Sequence, residues 1–117
     1  MKIILKGQVR GGKNNMGITM TGRHYPNKKF ATWRDDALLQ VQAQIIGKEL
    51  PIISVPCLVH IDYYAGDKRR RDVPAILDAI WHVLEKAQVV KDDCLLCNIV
   101  FKTYYNKENP EVIIDFK

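Results

Sequence analysis

Cysteine is scarce in this 117-residue chain, and its three residues, Cys57, Cys94 and Cys97, are odd in number. An odd count with no export signal argues against a disulfide framework. Cys94-Leu95-Leu96-Cys97 has CxxC spacing, but a zinc site needs four ligands and there is no second pair. The cysteines are therefore expected to be small buried apolar residues on strands. Long hydrophobic runs are lacking too. Ile52-Ile53 and Ile99-Val100-Phe101 fall far short of the roughly 20 apolar residues that a membrane-spanning helix needs. At the N-terminus, Lys2 and Lys6 interrupt the apolar residues too early for a signal peptide, so the expected compartment is the cytoplasm. No Gly-Lys-Ser or Gly-Lys-Thr follows the glycines of Arg10-Gly11-Gly12-Lys13, which excludes a Walker A phosphate loop.

Negative charge is the minority sign, with 13 Asp and Glu against 18 Lys and Arg, a formal net charge of +5. That balance favours a nucleic-acid or anionic-membrane partner. The hydrophobic fraction of 47% is ordinary for a folded protein, and the length suits one domain over residues 1–117.

Periodicity gives the expected elements. Residues 1–9 read as a strand, followed by a Gly/Asn-rich loop whose residues tolerate the positive φ of tight turns. Residues 19–25 can form a short hairpin arm. Asn27 can cap a helix to about residue 49, with Phe30, Trp33, Ala37, Val41 and Ile45 on one stripe and Pro51 enforcing the stop. Residues 55–64 read as a strand with Cys57, Val59, Ile61 and Tyr63 on one face. A second helix over residues 73–87 carries Ile76, Ile80, Val83, Leu84 and Ala87 on its core face and Ala75, Asp78, His82 and Glu85 opposite. Residues 94–104 and 111–116 read as two more strands, joined by a turn-forming segment at 106–110 as a final hairpin. The fold class is α+β: β-α-β-α-β-β, one domain with two helices packed on a mixed sheet.

The segment that carries chemistry is Lys68-Arg69-Arg70-Arg71-Asp72, leading into the second helix, and Lys91-Asp92-Asp93 beyond it. Cations attract a polyanion, and clustered carboxylates hold the hard divalent ion needed to cut one, so the segment points to a metal-dependent nuclease. Each residue also has a plainer reading. Asp72 suits a helix N-cap followed by Pro74 in the first turn, Asp92-Asp93 suits a polar turn, and the cationic run suits a solvated loop. The helix itself spans roughly 22 Å, so the late aspartates reach Asp72 only by folding back along it or from a neighbouring strand.

The stretch Asp67-Lys-Arg-Arg-Arg-Asp72-Val-Pro, then Leu84-Glu-Lys-Ala87, then Asp92-Asp93, resembles the RusA-like Holliday-junction resolvases. The likeness extends more weakly to Asn14-Asn15, Gly22-Arg23-His24-Tyr25 and Trp33-Arg34. It implies a homodimer that binds branched DNA, a four-way junction, and cuts it with Mg2+ held by aspartates. The family pattern is Asp-x-Asp-Asn-x-x-Lys, then an Asp after the helix. Asp72 and Asp93 match its first and last acids, with Asp92 adjacent. The second acid falls on Pro74, the Asn on Ala75 and the Lys on Asp78. Positions 74 and 78 are one helical turn apart, so Asp78 either restores the missing carboxylate or is a solvated residue on the polar face. The resemblance therefore implies Asp72, Asp78, Asp92 and Asp93 as metal ligands. Asp72, Asp93, Asp78 and Lys91 are the catalytic candidates, with Lys91 or the cationic run replacing the lysine. Lys68, Arg69, Arg70 and Arg71, with Lys13, Asn14, Asn15 and Arg23 from the loop and arm, are the candidate DNA contacts. The altered ligand positions leave a second expectation open, a branched-DNA-binding protein without catalysis. A third is an unrelated interaction domain with a basic surface.

Overall fold

The computed structural model describes residues 1–10, 17–18, 24–25, 28–69 and 71–117. Its elements are strands β1 (Lys2–Lys6), β2 (Gly17–Ile18) and β3 (His24–Tyr25), helix α1 (Lys28–Gln44), strand β4 (Leu58–Ala65), helix α2 (Val73–Lys86), a single 3-10 turn at Asp93–Leu95, and strands β5 (Asn98–Tyr105) and β6 (Glu111–Phe116).

Period-2 alternation makes the sheet one-sided. Val59, Ile61, Tyr63 and Ala65 of β4 are buried, as are Ile3 and Leu5 of β1 and Val112, Ile114 and Phe116 of β6. These residues form the floor on which the helices pack. Helix α1 contributes Phe30, Trp33, Ala37 and Val41; α2 contributes Ile76, Ala79, Ile80, Val83 and Leu84. The spacing matches one face of a 3.6-residue helix, and the two layers close a single core.

The sheet order is β1-β6-β4-β5, with β4 and β5 parallel and the other pairs antiparallel. The mixed α+β architecture is therefore the one expected. Its last connection is not. Strands β5 and β6 are not a hairpin: the five residues 106–110 step over the end of β4, and β6 inserts between β1 and β4. The buried alternation of β6 explains this placement, because a central strand hides its apolar set more completely than an edge strand would. At the other edge, β5 is exposed along nearly its whole length.

Other boundaries also shift. Helix α1 ends at Gln44, well before Pro51, and Gly47 takes up the left-handed φ of +82° in the turn that follows. The segment 94–97 is not strand. Cys94 lies in the 3-10 turn, Cys94 and Cys97 are exposed, and Cys57 is half-buried in the loop before β4, so the cysteines are not buried strand residues. Leu95 and Leu96 supply the apolar character of that stretch instead, with Leu96 buried. Strand β3 of the short antiparallel pair β2–β3 falls at the end of the 19–25 stretch where a hairpin arm was expected, whereas β2 lies just before it. Asn27 and the loop and arm residues Lys13, Asn14, Asn15 and Arg23 lie outside the described residues, as does Arg70. Among the described residues no helix is long and apolar enough to cross a membrane.

Candidate functional site

The parallel connection β4-α2-β5 decides where the charged segment goes. The chain leaves the C-terminal end of β4, runs back along α2, and re-enters the sheet beside the start of β4. The cationic tract therefore sits at one end of the sheet and the late aspartates at the other.

At the first end, the loop before α2 is organised around Asp67. Its Oδ1 accepts the Arg69 backbone N–H at 2.9 Å and the Arg71 guanidinium at 2.6 Å. Arg71 also donates through Nε to the Tyr63 hydroxyl at 3.3 Å, and Tyr63 is held in turn by Gln8 Nε2 at 2.5 Å. The Arg69 backbone bond, aided by Arg71, lowers the Asp67 pKa below its ordinary 3.8, against an opposing effect of burial. The Tyr63 hydrogen bond raises the Arg71 pKa. Gly66 packs closely here: a Cβ would come within 3.0 Å of Gln8 Oε1 and 3.3 Å of Pro110, so a larger residue crowds both. Lys68 and Arg69 are exposed, with Lys68 Nζ lying 5.1 Å from the centre of the Tyr105 ring. Asp72 occupies the N-cap position of α2 in extended backbone conformation but makes no side-chain capping bond. The helix start is set by Pro74 in the first turn, so capping leaves the Asp72 carboxylate to other uses.

At the second end, α2 closes in a Schellman arrangement. Gln88 adopts φ 61°, its N–H bonds Glu85 O at 2.9 Å, and the Val89 N–H bonds Leu84 O at 3.0 Å. Val89 and Val90 are then fully buried, and a parallel bridge to Ile53 pins the segment from both sides. The Cys57 N–H to Leu95 O bond at 2.8 Å fixes its far end. Asp92 and Asp93 are thus held in place by apolar burial and backbone bonds. Asp92 caps the 3-10 turn, accepting the Cys94 N–H at 3.1 Å, and this bond lowers its pKa below 3.8. A side-chain hydrogen bond to Asp92 raises the Cys94 thiol pKa. The Asp93 N–H donates to Glu85 Oε1 at 2.7 Å.

This last bond recruits a residue that the sequence did not single out. Glu85, Asp92 and Asp93 form an exposed group whose carboxylate oxygens lie within 4.8 Å of one another. It is the one such metal-capable group among the described residues, and a cluster of this kind can bind a metal ion. Hard oxygen donors suit Mg2+. The group also lies at the negative end of the α2 dipole, which adds to its attraction for a cation. Lys91 is exposed and adjacent in sequence. Of the sequence candidates, then, Asp92 and Asp93 come together with Glu85. Asp72 stands at the opposite end of α2, 13 residues from Glu85 or about 20 Å. Asp78 is half-buried midway along the helix.

No family model matches the chain. An alignment of 87 residues pairs it with crossover junction endodeoxyribonuclease RusA of Aquifex aeolicus (strain VF5) at 26% identity. The matched segment covers 74% of this chain and 64% of that protein, less than two thirds of the relative's length. Over part of its length, the chain is similar to a junction resolvase.

Proposed function

We propose that this protein is a Mg2+-dependent endodeoxyribonuclease that resolves four-way DNA junctions as a homodimer. The observation that carries the proposal is the Glu85–Asp92–Asp93 group, held by a rigid turn on the same helix that the cationic loop feeds. Three carboxylate oxygens within 4.8 Å fit a small hard cation, since trans ligands on Mg2+ stand about 4.2 Å apart and modest rotamer adjustment closes the difference. When bound there, Mg2+ supplies an acidified water and charge stabilisation at a phosphate. The chain's own residues have separate tasks. Lys68 and Arg69, both exposed, hold flanking phosphates, which fixes the position of the duplex without reading its sequence. Arg71 holds the loop in shape through Asp67 and Tyr63. Asp72 supplies a further carboxylate, and Asp78, one turn beyond Pro74, returns a carboxylate toward the position that Pro74 leaves vacant, because a helical side chain leans toward the turn before its own.

One observation favours the second reading, a junction-binding protein without catalysis: Asp72 and the Glu85 group are about 20 Å apart in a single chain. The experiment that separates the two is incubation of purified protein with a labelled synthetic four-way junction, with and without Mg2+. Incision that requires Mg2+ and is lost in Asp93→Asn supports the nuclease. Tight, salt-dependent junction binding with no incision supports the binder.

A further inference from the structure

Both helices pack on one face of the sheet, and two tyrosines meet on the other. Tyr64 of β4 and Tyr104 of β5 are register partners, one residue past the buried Tyr63, so strand alternation turns both away from the core. Their ring centroids lie 4.9 Å apart with an interplanar angle of 18°. Two rings lying side by side in one plane cannot come so close. At this separation, which matches the spacing of neighbouring strands, the rings stand upright on the sheet and stack face to face. Tyr64 has β6 on its far side, with Glu111 in register. Tyr104 has no strand on its far side, because β5 ends the order β1-β6-β4-β5. Its outer ring face therefore points past the sheet edge, and the residue is 42% exposed. A cross-strand aromatic pair stabilises a sheet through the two inner ring faces, so this outer face is aromatic surface that pairing does not use.

The same corner of the sheet is cationic. Lys102 is exposed on the face of Tyr104, two residues before it or roughly 7 Å along the strand. On the opposite face of this edge, Tyr105 lies beneath Lys68, whose Nζ is 5.1 Å from the ring centre. A cavity of about 430 Å3 joins the rings to the loop, lined by Lys68, Arg69, Arg71, Thr103, Tyr104 and Tyr105. Nearby carboxylates are partly committed: Glu111 pairs with Lys6 and Asp67 with Arg71, while Asp62 lies in register beside Lys102. An open ring face between exposed cations is complementary to a ligand that joins a flat base to phosphates. Bases inside a duplex have both faces covered by their neighbours, so only an unpaired nucleotide offers a face to such a ring.

We infer that Tyr104 is a stacking site for an unpaired nucleobase of DNA, which continues the Tyr64–Tyr104 stack beyond the sheet edge while its flanking phosphates lie on Lys102 and Lys68. The inference rests on the DNA-binding reading above and names the part of the DNA that this corner engages. Every base has an aromatic face, so the site selects for an unpaired base and not for its identity. Extruding a base costs least where stacking is already interrupted, as at a branch point. The site therefore favours branched or single-stranded DNA over linear duplex.

The test compares two strands of equal charge, a short fluorescein-labelled oligothymidylate and the same strand with abasic nucleotides throughout. Each is titrated by anisotropy without Mg2+. The wild-type protein is expected to bind the thymidine strand about tenfold more tightly. Tyr104→Ala is expected to abolish that preference by weakening the thymidine strand alone, and its retained grip on the abasic strand shows that it is folded. Tyr104→Phe is expected to keep the preference, because stacking uses the ring and not the hydroxyl. Lys102→Ala is expected to weaken both strands equally and to reduce their salt slope. A four-way junction made abasic at its branch point identifies the source of the base. About a tenfold loss against the ordinary junction places it at the branch, and no loss places it in a free single strand. Equal binding of the two strands, or no binding of the thymidine strand, overturns the inference. So does a Tyr104→Ala variant that loses both strands alike, or a Tyr104→Phe variant that behaves as Tyr104→Ala does. Incision enters none of these measurements, so the stacking site and the nuclease reading fail separately.

Discussion

At its N-terminal end α2 emerges from a loop in which charged side chains bind one another; at its C-terminal end the charged residues are mounted on a turn made rigid by uncharged ones. Asp67 and Arg71 define the first loop's shape, so part of its charge is internally committed. Val89, Val90 and the bridge to Ile53 define the second turn's shape, which leaves carboxylates concentrated on its surface. A substitution at Asp67 or Arg71 therefore changes folding and binding together, whereas one at the second end changes a charge on an intact frame. The comparison also runs against the helix dipole: cations gather at the positive end and acids at the negative end. Neither placement stabilises α2, and both suit ligands that bring the opposite charge.

The largest expected effect is at the acidic end. Asp93→Asn keeps the backbone N–H that bonds Glu85 and removes only charge, so junction cleavage should fall about a thousandfold, the several kcal/mol that metal-assisted catalysis supplies. Junction affinity measured by anisotropy should hold or tighten slightly, because a negative charge near phosphates is gone. Asp78→Asn comes next, with a loss of about ten- to a hundredfold in cleavage rate as the carboxylate that stands in for the one absent at Pro74. Normal cutting by that variant assigns Asp78 to the solvated face.

At the cationic end the expected signature is a salt slope rather than a rate. Lys68→Ala with Arg69→Ala should reduce the dependence of log binding constant on log salt by about 0.9 for each phosphate that is no longer neutralised, with melting temperature unchanged. Arg71→Ala should behave differently. It removes the guanidinium bonds to Asp67 and the Tyr63 hydroxyl, which keep only the Arg69 N–H and Gln8, and should cost about 1 kcal/mol in urea denaturation. The smallest effect belongs to the frame of the acidic end. Gln88→Gly relieves a left-handed residue at the helix terminus and should raise stability by about 0.5–1 kcal/mol, leaving cleavage as it was.

The helices and the buried strand faces were legible from the sequence because their signals are periodic and local: the stripe of Ile76, Ile80, Val83 and Leu84, and the alternation of Val59, Ile61 and Tyr63, are all buried as their spacing requires. The partner of each strand was not legible. A turn composition such as 106–110 serves equally for a hairpin and for a step across one strand, and only the sheet as a whole decides between them. The Leu95-Leu96 pair mimics a strand while forming an exposed turn with one buried side chain. Glu85 does not stand out in the sequence, because acids are common on polar helix faces. The available clue was the buried pair Val89-Val90, which turns the chain back and brings Asp93 to the glutamate eight residues before it.

Gln44 and Gln40 of α1 bond the backbone N–H and C=O groups of Ile4 and Lys6 on β1, a ladder with a dynamic consequence. The outward amides of Ile4 and Lys6 are protected from solvent by side chains of α1, whereas the alternate amides of Ile3 and Leu5 face β6. Deuterium exchange along this one short strand should then report two separate events. The even-numbered amides will exchange whenever α1 lifts from the sheet edge, and the odd-numbered ones only when the sheet itself opens. A five-residue strand thereby reads helix undocking and sheet unfolding on alternate residues.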